Sequence, residues 1–196
     1  HTLTISDELK DANERIPLRE VDVADLLARE EKQLDMSLMG YVTGKRVLVT
    51  GGGGSIGSEL VRQLLPANPK QIILFDIYEN TTYELFHDIV KPAKDQGTDI
   101  RVFIGSITHM PALSKVFDLY EPEVVFHAAA HKHVPLMERN AREAIENNVF
   151  GTLNLVKLTD QHKCTHFVQI STDKAVNPTN VMGATKRMDE MIVQYF

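Results

Sequence analysis

The sequence predicts an α/β protein built on a doubly wound parallel sheet. Short apolar runs alternate with longer helical patterns from residue 46 onward, and most of those runs are continuously apolar, as in strands covered on both faces. A glycine-rich turn separates the first run from the first helix, the place where such sheets bind their ligands. With 196 residues the chain can bury one full core but is too short for two large domains.

Residues 1–44 stand apart from this rhythm. Leu26 to Glu31 has the pattern of one short helix and Met36 to Tyr41 is a brief apolar patch, but the stretch is charged as a whole and reads as a linker or as an arm packed on the core. Gly44 marks the entry to the first strand, so the domain itself is expected over 45–196. Arg46 to Thr50 reads as that strand and Ser55 to Leu65 as the first helix. Pro66 and Pro69 end it, because proline lacks an amide donor and clashes with the preceding turn.

Gln71 to Phe75 is the second strand, followed by a helix from about Glu79 to Lys94. Ile100 to Ile104 is the third, with a helix near Pro111 to Leu119, and Glu123 to His127 is the fourth. A long helix is expected from Ala141 to His162. Asn140 and Glu143 have capping-box spacing there, and Ile145, Val149, Thr152, Leu153 and Val156 form one mostly apolar face. His166 to Ser171 is the fifth strand, and Val181 to Phe196 begins another helix. Right-handed crossovers and the glycine turn favour strand order 3-2-1-4-5.

Lys and Arg total 21 against 27 Asp and Glu, a formal charge of -6, so nothing draws the chain to nucleic acid, although backbone dipoles can still hold a nucleotide. The single cysteine, Cys164, excludes an internal disulfide and suits a reducing compartment. Just before an apolar strand, it fits a buried small hydrophobe better than a nucleophile. No signal peptide is visible, and no apolar run approaches the ~18 residues of a membrane span, so direct membrane insertion of this stretch is not expected.

The strongest local signal is Thr50-Gly-Gly-Gly-Gly-Ser-Ile-Gly57, a strand-to-helix turn with Gly51, Gly54 and Gly57 at GxxGxxG spacing. Gly51 permits the turn, Gly54 lets backbone approach a pyrophosphate and Gly57 lets the helix pack closely. The helix start at Ser55 and Ile56 offers free N–H groups to phosphate. Asp76, ending the second strand, can accept hydrogen bonds from both adenosine ribose hydroxyls and repels a 2′-phosphate, which favours NAD over NADP. Ala128, Ala129 and Ala130 allow backbone to lie against the cofactor, or simply pack tightly, while Ser106 and Ile107 stand where an adenine would rest. His131 and His133 are two histidines one residue apart without a third ligand nearby, so a metal site is not expected and a loop or cofactor wall is.

Thr172, Asp173 and Lys174 bring a hydroxyl, an acid and a base to the carboxyl end of the fifth strand, where open parallel sheets carry their ligand crevice. A charged surface turn is the plain alternative. Lys186 lies four residues after Met182 on one helix face.

On TGGGGSIGSEL, FHAAAHKHVPLMERN, NNVFGT and STDKAVNPTNVMGATKR, the sequence resembles the extended short-chain dehydrogenases/reductases. More closely, it resembles the nucleotide-sugar 4,6-dehydratases of bacterial polysaccharide and capsule synthesis, from about Leu18 to the end. The likeness is greatest to the large, membrane-anchored members acting on UDP-N-acetylglucosamine. It implies a Rossmann-like NAD-binding domain that stops before the sugar-binding region, in a cytoplasmic part of a homo-oligomeric parent anchored by upstream helices.

The resemblance also assigns roles. Thr172 would stand near the sugar C4 oxygen, Asp173 would be the general acid, Lys174 the general base and Lys186 the holder of the nicotinamide ribose. Asn148 would organise the site, and Lys132, Thr172 and Asn177 would contact the UDP-sugar. Met182 stands where most of these enzymes carry tyrosine, and a thioether cannot exchange a proton as a phenol does; the large dehydratases share the methionine. The implied chemistry is oxidation at C4, proton removal from C5 by Lys174, protonation of the departing C6 hydroxyl by Asp173 and hydride return to C6. Lys174 must then be partly neutral to act as a base, a form that desolvation and neighbouring positive charge favour. A nucleotide-sugar epimerase and a noncatalytic NAD-binding assembly module are the alternatives.

Overall fold

The computed structural model describes residues 3–5, 18–20 and 36–196. The unit His1–Asp35 contains two short strands, β1 (Leu3–Ile5) and β2 (Leu18–Glu20), paired antiparallel with Leu3 opposite Glu20. The short helix expected at Leu26 to Glu31 lies outside the described residues.

The unit Met36–Phe196 holds a sheet of five parallel strands: β3 (Arg46–Thr50), β4 (Gln71–Asp76), β5 (Asp99–Ile104), β6 (Val124–His127) and β7 (His166–Gln169). Their spatial order, β5-β4-β3-β6-β7, is the 3-2-1-4-5 that handedness predicts. The helices are α1 (Ser55–Leu64), α2 (Glu79–Asp95), α3 (Met110–Tyr120), α4 (Val134–Arg139), α5 (Ala141–Ala144), α6 (Gly151–Gln161) and α7 (Val181–Tyr195).

Alternation along β3 builds one core on each face of the sheet. Val47 and Val49 join Val61 and Leu64 of α1 and Leu85 and Ile89 of α2. Leu48 points the other way, with Leu113 and Phe117 of α3 and Leu155 of α6. Each of these buried side chains contributes about 1.5–3 kcal/mol of apolar transfer energy. Met39, Tyr41 and Val42, grouped by sequence with the N-terminal segment, pack here as well. A 3-10 helix, Met36–Tyr41, leads to a fully buried Val42 and puts the Tyr41 ring 4.8 Å from that of His166.

Several local expectations are corrected. The first helix gives way to a 3-10 turn, Leu65–Ala67, with Pro66 near its start, and β7 ends at Gln169 rather than Ser171. The long helix is not uniform: between α5 and α6 the turns of Ile145–Phe150 are π-helical. A π turn adds a residue and rotates the helix face. Ile145, expected on the apolar face, is consequently 39% exposed, while Asn148 is fully buried. Asn140 caps nothing with its side chain; Nδ2 instead donates to the Leu136 carbonyl at 2.9 Å, because α4 runs directly into α5 and its last turn needs that donor.

Candidate active site

The turn after β3 is shaped by backbone contact. Gly51 has φ +72, and a Cβ there would come within 2.6 Å of the Ala129 nitrogen, so only glycine satisfies both conformation and space. Gly57 faces the Gly51 carbonyl, which presses the first turn of α1 onto the loop. Between the carboxyl ends of β3, β4, β5 and β6 lies a cleft of about 200 Å³. Of the residues singled out by sequence, Gly51, Gly54, Asp76, Ser106, Ile107 and Ala128 to Ala130 line it. Ser55, Ile56 and Gly57 do not, although Ile56 is half exposed at the helix start beside it.

Asp76 is held before any ligand arrives. Its Oδ2 accepts the Gly53 amide at 2.8 Å and its Oδ1 accepts the Tyr78 amide at 2.9 Å. The carboxylate is nearly buried, and each oxygen keeps a second lone pair for a hydroxyl donor. A ribose diol and pyrophosphate fit this set of an acid, a close backbone and a helix N-terminus. Ser106 is less free than expected, since its Oγ lies 2.8 Å from Thr108 Oγ1 and accepts the Thr108 amide. Ile107 is buried against Gly151, so it offers the cleft mainly backbone.

Asn148 joins three segments. Its Oδ1 accepts the His131 amide at 2.8 Å, and its Nδ2 donates to the His131 carbonyl at 3.1 Å and to Thr185 Oγ1 at 2.9 Å. The π-helical turn delivers this amide to the cleft wall and ties that wall to α7. His127, wholly buried at the end of β6, lies 2.7 Å from Thr50 Oγ1 and 2.9 Å from Thr152 Oγ1. Burial, aided by the charge of Lys186, pushes its pKa down to about 3. The imidazole is therefore neutral, and the two threonines take opposite donor and acceptor roles toward it.

Beyond β7, a 3-10 turn, Asp173–Ala175, lies outside the cleft, with Thr172 extended ahead of it and accepting the Lys174 amide through its hydroxyl. Asp173 Oδ1 accepts Thr172 Oγ1–H at 2.9 Å and lies 3.3 Å from Lys174 Nζ, with side-chain exposures of 85% for Asp173 and 48% for Lys174. The Thr172 hydroxyl, and after it Lys174, hold the Asp173 carboxyl below the usual range. Ser171 Oγ donates to Glu190 at 2.6 Å, anchoring the start of this turn on α7. Lys132 and Asn177 are exposed and outside the cleft.

Met182 is only 4% exposed and packs with Met137 and Ala144, where α7 meets α4 and α5. Lys186 is 5% exposed, and its Nζ lies 3.1 Å from Asp189 Oδ2. His131 Nε2 lies 3.8 Å from Glu143, and among the described residues no three His, Cys, Asp or Glu side chains gather as a metal site. Cys164 donates to the Pro122 carbonyl, and burial pushes its thiol up to about 11, which leaves it unreactive. No helix among the described residues is long and apolar enough to cross a membrane.

Three contributors escaped the sequence reading. Gly53 orients Asp76 through its amide. Glu138 Oε1 accepts the Val181 amide at 2.6 Å and caps α7 from α4, a pair 43 positions apart with no sequence signal. Asp189 did carry a signal, an acid three residues after Lys186, but the sequence could not show that both are buried.

Comparison with known proteins matches residues 47–196 to a family described as polysaccharide biosynthesis protein. The chain is 45% identical to the capsular polysaccharide biosynthesis protein CapD of Staphylococcus aureus, covering 97% of this chain and 32% of that protein. It is 35% identical to a UDP-N-acetylglucosamine 4,6-dehydratase (inverting) of Campylobacter jejuni, over 72% of this chain and 40% of that one. To a UDP-glucose 4-epimerase of Rickettsia prowazekii it is 32% identical, over 76% and 42%. Among solved structures, that of Pen from Bacillus thuringiensis matches with TM-score 0.71 and 32% identity, covering 79% of this chain and 45% of that chain. The chain thus spans less than half the length of each of these proteins.

Proposed function

The chain belongs to the polysaccharide biosynthesis protein family, and on that premise we propose that its parent is an NAD-dependent enzyme that converts a UDP-N-acetylhexosamine, UDP-N-acetylglucosamine first, to a 4-keto-6-deoxy sugar. The observation that carries this reading is the Thr172-Asp173-Lys174 turn, where an acid and a base share one hydrogen-bonded group beyond the strand that borders the cofactor side of the sheet. NAD, when bound, supplies the hydride acceptor for C4 and the hydride for C6.

The chain's own residues account for the rest. Asp76 holds the ribose diol, the amides at the start of α1 face the pyrophosphate, and Lys186 holds the second ribose. In water Asp173 and Lys174 form an ion pair, the wrong protonation for an acid and a base. Covering the turn with a sugar removes solvent, which disfavours both charges. Transfer of one proton from Lys174 to Asp173 then gives a neutral base for C5 and a neutral acid for the C6 hydroxyl, with the Thr172 hydroxyl released to the C4 oxygen. Met182 offers no phenol to take the C4 hydroxyl proton, which both reactions must lose as the C4 hydride leaves, so that proton passes through the Thr172 hydroxyl to solvent.

Epimerisation at C4 is the second reading, motivated by those relatives at similar identity. The full-length parent, given UDP-N-acetylglucosamine and NAD in heavy water and followed by NMR, separates the two. Dehydration yields a 4-keto-6-deoxy product with deuterium at C5, whereas epimerisation yields the C4 epimer without it. Intact substrate, with NAD binding verified, defeats both for this sugar.

A further inference from the structure

Lys186 and Asp189 stand one helical turn apart on α7 with side-chain exposures of 6% and 0%. A buried ion pair is stabilising only when its remaining lone pairs and protons are satisfied. Here, among the described residues, neither carboxylate oxygen of Asp189 has a well-formed hydrogen bond: Lys186 approaches at 3.1 Å as a charge and the Thr152 hydroxyl lies alongside. Helix α7 does not depend on this carboxylate for its start, which is capped by Asn180 and by Glu138.

Lys186 follows Thr185, which the Asn148 amide ties to the cleft-lining His131. Its charge is felt at His127, whose next three residues line the cleft. We propose that Asp189 is a positioning residue: as the buried counter-charge of Lys186 it holds that ammonium in place toward the cofactor cleft, so that loss of the carboxylate charge loosens cofactor binding through Lys186. This rests on reading the cleft as an NAD site and is independent of which sugar reaction follows.

Protonation tests the same link without mutation. Burial raises the Asp189 carboxyl to about 6, against the pull of Lys186, so it gains its proton as pH falls through that value. The groups facing it are Lys186 and Glu190 on α7, with Thr152 of α6 between it and His127 of β6. Glu190 is held low by Ser171 and Arg187, and His127 is held near 3, so neither titrates in the same window.

The experiment measures NAD affinity of the full-length parent by calorimetry from pH 7.5 to 5, for wild type, Asp189→Asn, Lys186→Met and the double variant. Asp189→Asn is expected to weaken binding roughly tenfold at pH 7.5, as loss of a buried charged contact does. Wild type should lose a similar factor on acidification, and both losses should vanish when Lys186 is methionine. An equal loss with and without Lys186, or a wild-type affinity flat across this range, overturns the proposal. If Asp189→Asn does not fold, the wild-type and Lys186→Met profiles decide it: acid weakening that survives in Lys186→Met counts against it. No NAD binding at any pH sinks the cofactor reading and this proposal together, whereas intact coupling without sugar turnover sinks only the dehydratase reading.

Discussion

The glycine loop after β3 and the Thr172–Lys174 turn after β7 stand at the same end of one sheet with only β6 between them, but they are made of different material. The loop is backbone pressed against backbone, and its one acid is fixed by two amides. The turn is side chains in water, tied mainly to one another. Cofactor recognition is therefore built into the fold in advance. On the proposed reading, the acid and base of the turn depend instead on what covers them.

That contrast can be attacked from either side. Lys174→Ala in the full-length parent should lower kcat by roughly 10²–10⁴, the range for loss of a general base, while leaving NAD affinity and Tm unchanged. Full turnover by this variant would remove Lys174 from the chemistry. Gly51→Ala should behave in the opposite way, destabilising the fold by about 3 kcal/mol in urea and abolishing NAD binding, because it combines positive φ with a clash against Ala129. A fully stable variant would mean that the loop is softer than its packing indicates.

A smaller effect concerns pH. Asp189 has a folded pKa raised to about 6, so its contribution to stability is fully present below its unfolded value near 3.8 and is lost as pH rises through 6. His127 acts in the reverse sense: depressed to about 3, it contributes stability above its unfolded value near 6.5 that is lost as pH falls toward 3. The two oppose each other between pH 5 and 6.5. Asp189→Asn should expose the His127 slope, with urea stability rising over that interval more steeply than in wild type; an unchanged slope would show that Asp189 does not titrate there. Smallest of all, Met182→Leu should cost less than ~1.5 kcal/mol and leave turnover intact, since the site asks only for apolar volume.

The sheet was legible because fully buried strands read as unbroken apolar runs, and Gly51 announces the one turn that no other residue can make. The cleft was legible for the same reason: Asp76 and Ala128 to Ala130 stand at strand ends and line it, where position alone says what they face. Side chains recruited across distance were not. The Glu138 cap on Val181 and the Thr50–His127–Thr152 contacts depend on which helices meet. Asn140 had the right neighbours for a cap, but α4 claimed its amide first. Burial is what separates Lys186 and Asp189 from an ordinary surface pair, and spacing does not report burial.

The wide turn at Ile145–Phe150 also has a consequence for counting residues. Deleting a single residue there would let a uniform α-helix run on with α5 and α6 nearly in their present orientations, because the π turn is that extra residue, yet the face presented between them would change. Asn148 would swing away from either His131 or Thr185, and the clasp between cleft and α7 would open. Chain length at this point is a structural requirement in its own right, as specific as any side chain, and a one-residue gap there would be a larger change than most substitutions.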